Sequence, residues 1–394
     1  MELNPSYASK LLSIYWPNVS NDMGELERIR ENPGRIWLEQ RREIVDNLTD
    51  TSVRQQQLAS YAFVKAATAG SIDRLSPREA DQIVDGLRTV DPLVAQHVAG
   101  GVAATLYHGS ETVRQMLGTR ATIDALTDLL PHRRRSVSKN SLIGLSLLSL
   151  EWAEETAEIN TVPERCARHL ADEDGRARYA SLTLANLAHA APQTLQDQVS
   201  TLRRNLDAAR SPTVLASLAF CLGQTLPISP STGLQSERRR LSGVVDVVVD
   251  FAIDRSHPTH LRALALESLQ PFCAECKQAV LESSLVDHLS RLLSENTADL
   301  QIPSAAVAVA SALSIELSDS HDAALRTIET ADKVAPDIRT AAATLRQRGG
   351  SLRTGVRTGE SDRVIRYIDK AIVNVTNSQN VAVFSEDVRN EYHA

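Results

Sequence analysis

Two histidines and two cysteines are the residues of this chain whose types come nearest to a metal site: His257 and His260, then Cys273 and Cys276, the pairs separated by 12 residues. Imidazole nitrogens and thiolates in sets of four are typical zinc ligands. The spacing defeats that use. If 261–272 is helical, a rise of about 1.5 Å per residue parts the two pairs by roughly 18 Å, beyond the reach of one ion. Capping or partly buried histidines and structural cysteines are expected instead, with no metal and no cofactor. Cys273 and Cys276 also have the spacing of a redox dithiol, but no βαβ pattern surrounds them.

Other chemistry is equally thin. The chain has no Gly-x-x-x-x-Gly-Lys loop, no strand-associated Gly-x-Gly-x-x-Gly, no Gly-x-Ser-x-Gly elbow and no His-Glu-x-x-His. Serine, histidine and aspartate all occur, but no local arrangement supports a triad. The paired acids Glu154 and Glu155 sit on a helical stretch and read as solvated surface. A non-enzymatic protein is expected.

Basic clusters are more informative. Arg133, Arg134 and Arg135 follow His132 and precede Lys139; Arg203 and Arg204 form a second group, and Arg238, Arg239 and Arg240 a third. A fourth, from Arg346 to Lys370, includes Arg353, Arg357, Arg363 and Arg366. Guanidinium groups in such clusters suit phosphate or carboxylate partners. The plainer reading is that they solubilise the surface and pair with the 49 acids, and few aromatics accompany them for base stacking. The formal net charge of −7 argues against wholesale binding to nucleic acid or to a membrane surface.

The elements that must position these groups are helices. Alanine and leucine dominate and aromatics make up only 4%. Helical starts recur near positions 52, 92, 135, 174, 212, 258, 302 and 336, a period of about 40 that belongs to helical repeats. Asp91-Pro92, Ser211-Pro212, His257-Pro258, Ile302-Pro303 and Ala335-Pro336 place proline where a first turn tolerates it. First helices alternate small and large apolar residues, as in Tyr179, Ala180, Leu182, Leu184, Ala185, Leu187 and Ala188. Second helices carry stripes such as Leu195, Val199, Leu202 and Leu206. Ser76-Pro77-Arg78-Glu79 predicts a capping box. Val244 to Ile253 is rich in β-branched residues, yet a strand would put Asp246, Val248 and Asp250 on one face, so a helix is predicted there.

With these starts and stripes on the page, residues 51–348 resemble the HEAT and armadillo repeat superfamily. Ser52-Val53-Arg54 with Leu58 and Ala59, and Pro336-Asp337-Ile338-Arg339 with Ala341 and Ala342, carry the likeness. It implies an all-α fold, an α-solenoid of about eight helical hairpin repeats, with a surface for binding and no inherited functional residue. Residues 1–50, with Tyr7, Leu11, Leu12, Ile14, Tyr15 and Trp16, are expected to cap the array. Residues 349–360 read as a flexible linker, and 361–394 as a helix with a hairpin around Asn377-Ser378-Gln379-Asn380.

The expected function is a protein-interaction scaffold. Its alternatives are a nucleic-acid backbone binder using the arginine clusters and, more remotely, a helical-repeat base-excision glycosylase. Pro227 to Gly233 is a loop insertion, which in repeat proteins often serves binding but is as readily a neutral insertion. The longest nearly uncharged stretch, Pro303 to Ile315, is too short to span a bilayer. Four scattered cysteines and no secretory signal lead to an expectation of a cytoplasmic protein.

Overall fold

The computed structural model describes residues 19–172, 175–209, 211–225, 234–275, 277–295, 300–315 and 321–348, and among these every regular element is a helix. The N-terminal aromatic segment, the Pro227–Gly233 loop and the 349–394 tail lie outside the described residues. The chain divides into two compact units between Arg165 and Cys166.

The first unit opens with α1 (Val19–Glu31) and α2 (Pro33–Asn47), followed by a long helix α3 (Val53–Thr68) and a shorter α4 (Pro77–Leu87). A three-part repeat follows: long α5 (Pro92–His108), short α6 (Glu111–Leu117) and α7 (Arg120–Leu129). Long α8 (Arg135–Glu151), short α9 (Ala153–Ala157) and α10 (Thr161–Arg168) keep the same order. Helices α3, α5 and α8 pack side by side, while α2, α4 and α7 form a second layer against them.

The second unit repeats the scheme. Its long helices are α11 (Arg176–Ala190), α13 (Pro212–Thr225), α15 (Thr259–Glu275), α18 (Gln301–Leu313) and α20 (Pro336–Arg348), each packed on the next. The helices that alternate with them are α12 (Val199–Ala208), the 20-residue α14 (Leu234–Ile253), α16 (Lys277–Glu282), α17 (Leu285–Leu293) and α19 (Asp322–Thr330). The fold class is therefore the helical-repeat α-solenoid, and all eight long helices begin within two residues of the expected starts.

Local chemistry explains those starts. The Asp91 carboxylate accepts from the amides of Leu93 and Val94, with Pro92 in the first turn. The Ser76 hydroxyl accepts from the Glu79 amide while the Glu79 carboxylate accepts from the Ser76 amide, which is the predicted capping box. In α14, Val245, Val248, Val249 and Ala252 are buried while Asp246 and Asp250 are exposed, the separation only a helix gives.

Among the described residues, four of the repeats carry an added short piece: α6, α9, α16 and a 3-10 helix (Pro192–Gln198) intervene between first and second helices, whereas α4 follows α3 directly. These pieces are five to seven residues long, too short to show an apolar period. For the same reason the stripe from Leu195 to Leu206 is not one helix: Leu195 belongs to the 3-10 segment that Pro192 opens, and Leu202 and Leu206 to α12.

Small residues set how closely the long helices approach. A Cβ on Gly101 of α5 would lie 2.4 Å from the Phe63 ring of α3, and one on Gly223 of α13 would lie 2.4 Å from the Ser268 carbonyl oxygen of α15. The second contact is with backbone and has no rotamer to yield. Gly223→Ala is expected to destabilise the protein by about 1–3 kcal/mol through overpacking. A urea titration showing an unchanged midpoint would contradict that close approach.

Candidate interaction site on the long helices

The long helices are buried on most sides and show a narrow half-buried strip. On α3 it includes Leu58, Tyr61 and Lys65, spaced at three and four so that they share a face. Leu58 and Tyr61 pack against Leu26 of α1, together with Leu93 from α5. His97 of α5 lies beside the strip: its ring centroid is 5.7 Å from that of Tyr61, and its Nδ1 is 3.2 Å from the Ser60 hydroxyl. The Lys65 ammonium stands over the Tyr61 ring, 5.4 Å from its centroid.

Cross-helix hydrogen bonds fix the offset between these helices. Gln57 donates to the Asp91 carboxylate at 3.3 Å, joining α3 to the start of α5. Ser136 donates to the Gln96 side-chain oxygen at 2.8 Å, and the Asn140 amide donates to the Gln96 carbonyl at 3.0 Å, joining α5 to α8. His97, next to Gln96, is thereby placed between Tyr61 and Lys65 on one side and the start of α8 on the other.

The electrostatics of this spot are one-sided. Burial pushes the His97 imidazole down to about 3, and the positive charges of Lys65 and Arg134 push the same way. Burial also lowers the Lys65 ammonium, with Arg30 of α1 adding to the effect. The Tyr61 phenol is raised by burial, while Arg30 pulls it back. Besides burial, the groups that lower Lys65 and His97 are cations: Arg30 for the first, Lys65 and Arg134 for the second.

Of the arginines singled out in the sequence, Arg133 and Arg135 are exposed and Arg134 is half-buried at the start of α8, its amide donating to His132 Nδ1. That helix has no acid in its first turn and no side-chain cap, so its positive N-terminal end adds to the arginines. Lys139 is half-buried one turn further on. Arg203 and Arg204 lie on α12 of the second unit, Arg204 exposed. Arg238, Arg239 and Arg240 fall within α14, but their side chains lie outside the described residues, as do Arg353, Arg357, Arg363 and Arg366. Tyr61, Lys65 and His97 were missed in the sequence. Their only signal there is a Tyr–Lys pair at four-residue spacing and a lone histidine in an apolar helix.

His257 and Cys273 take separate places, and Cys276 lies outside the described residues. His257 stacks on Phe251 at 4.2 Å and stands 3.6 Å from Asp254, whereas Cys273 is buried on α15 and its thiol is pushed up to about 12 by burial. Among the described residues no three His, Cys, Asp or Glu side chains gather as a metal site.

Comparison with solved structures finds a similar fold. An engineered protein from a structural genomics consortium superposes with a TM-score of 0.58 over 88% of this chain and 86% of its own, at 16% identity. A designed armadillo repeat protein in complex with the peptide (KR)4 is 15% identical, covering 58% of this chain and 98% of its own, with a TM-score of 0.44. A computationally designed armadillo repeat protein for modular peptide recognition is 16% identical over 68% and 98%, with a TM-score of 0.41. No family model and no curated protein matches the sequence.

Proposed function

We propose that this chain is a non-enzymatic scaffold that holds an extended segment of a partner protein along the long-helix face. The observation that carries this reading is the strip of Leu58, Tyr61, Lys65 and His97, in which aromatic, apolar and cationic groups lie half-buried on neighbouring long helices. Rigid helices present such groups with little ordering cost on binding.

The Ser60–His97 pair does not support catalysis. The serine is fully buried, and an imidazole pushed down to about 3 is a poor general base at neutral pH. Cys166, Cys221 and Cys273 are free and buried, which fits a reducing, cytoplasmic setting. No described helix is long and apolar enough to cross a membrane.

Selection of displayed peptides on the immobilised full chain tests the proposal. Selected peptides are expected to slow amide exchange on α3, α5 and α8. No enrichment of any peptide, or protection confined to α4 and α7, would overturn it.

A further inference from the structure

The scaffold reading leaves open what chemistry the long-helix face recognises, and the first unit answers this more sharply than composition does. Lys65 has no carboxylate partner among the described residues, and its ammonium is half-buried over Tyr61. Arg30 approaches it from α1 and Arg134 lies across His97 at the start of α8. Both arginines have partners of their own, Arg30 pairing with Glu27 at 3.0 Å. A cation held in a partly dry place among other cations is electrostatically unfavourable by itself, and a ligand anion relieves it.

We propose that Lys65, flanked by Tyr61, His97, Arg30 and Arg134, receives a side-chain carboxylate from an extended acidic segment of a partner protein. The proposal rests on the scaffold reading and names the chemistry of its ligand. A carboxylate fits the place for three reasons. Lys65 offers a compact charge with rotatable donors, suited to one or two oxygens. His97 is a neutral imidazole whose N–H is taken up by the Ser60 hydroxyl, itself donating to the Gln57 carbonyl, so it brings no charge that competes with Lys65 for the ligand. The half-buried Leu58 and Leu93, which rest on the buried Leu26, leave apolar edges beside it that match a peptide alternating acidic and apolar residues.

Nucleic acid fits less well. Tyr61 is engaged by Lys65 above its ring and by the tilted His97 ring, so it offers no stacking platform for a base. The cluster holds few cations, whereas polyanion binding gains affinity from many phosphate contacts, and the net charge of −7 opposes it at long range.

The test uses the full chain and three fluorescent probes: a short peptide alternating glutamate with leucine, its glutamine counterpart, and a single-stranded oligonucleotide. The glutamate peptide is expected to bind and the glutamine peptide to bind at least about tenfold more weakly, the loss of one charge-assisted hydrogen bond. Lys65→Met, which keeps the stem over Tyr61, should weaken the glutamate peptide by about the same factor, and Lys65→Arg should restore most of it. The melting curve of Lys65→Arg should overlay that of the unaltered chain, and Lys65→Met should melt no lower, since it removes an unfavourable charge. Equal binding of the two peptides, indifference to Lys65→Met, or tighter and equally Lys65-dependent binding of the oligonucleotide would each overturn the carboxylate site. Failure of this site is separable from failure of the scaffold: peptides selected from a display library that bind unaltered chain and Lys65→Met alike would refute only the former.

Discussion

Replacing Arg262 by alanine is expected to cost about 3–5 kcal/mol of stability, because it strips a buried ion pair of one partner. Arg262 is 2% exposed on α15, and each of its three side-chain nitrogens donates a hydrogen bond. Its Nε donates to the Ala252 carbonyl at the end of α14 at 2.8 Å, and its two terminal nitrogens donate to the Glu295 carboxylate at 2.6 and 3.1 Å. One side chain therefore ties the end of α14 to the segment leaving α17. Arg255 stands 3.6 Å from the same carboxylate but is mostly exposed, so it does not replace the lost partner.

The Arg262 hydrogen bonds hold Glu295 below the usual carboxylate range, against the opposing effect of burial. With the folded value depressed, this contribution is fully present above the unfolded carboxylate value and is lost as pH falls through the folded one, at about pH 4 and below. Urea titrations should therefore show the Arg262→Ala deficit at neutral pH and a shrinking difference in acid. Arg262→Met with Glu295→Leu should recover much of the loss, since the penalty lies in the stranded charge. A deficit under about 1 kcal/mol at neutral pH would mean the pair is not the tie described here.

Phe63→Ala is expected to be comparably severe, about 3–5 kcal/mol from lost burial and the cavity left behind. Phe63 is fully buried on α3, 6.0 Å from Trp37 of α2 between ring centroids, and seated on Gly101 of α5. It joins three helices across both layers of the first unit. The seat also makes the loss conditional. A methyl group at Gly101 meets the Phe63 ring at 2.4 Å in the unaltered chain but finds space once the ring is gone. Gly101→Ala alone should destabilise by about 1–3 kcal/mol, whereas in the Phe63→Ala background it should be neutral or favourable. Calorimetric melting of the four variants closes this cycle. Simple additivity of the two losses would show that the helices relax apart and that Gly101 does not set their distance.

The same contrast between local and cross-helix chemistry separates what was legible in the residues from what was not. Asp91-Pro92, Ser76 with Glu79, and Ala335-Pro336 act within one turn of backbone, so the start of each helix is written beside it. The repeat period follows, and with it the α-solenoid class. The helical state of Val244–Ile253 was decided by where two aspartates fall relative to the valines, again a matter of near neighbours. The short helices were invisible because five to seven residues carry no period. The arginine runs were conspicuous, and among those whose side chains are described Arg134 has a place in the cluster around His97. Tyr61, Lys65 and His97 sit on two different helices, and Arg134 opens a third. What brings them together is the stagger of α3, α5 and α8, fixed by Gly101 under Phe63 and by hydrogen bonds from Gln57 to Asp91 and from Ser136 and Asn140 to Gln96. Arg262 and Glu295 likewise meet across α15 and the end of α17 only after those helices stack. The sequence by itself determined the long helices, their order and their period, because capping and amphipathic spacing are local. The tertiary structure alone decided which side chains share a site, because that depends on the distance and offset between helices, set by packing among residues far apart in the chain.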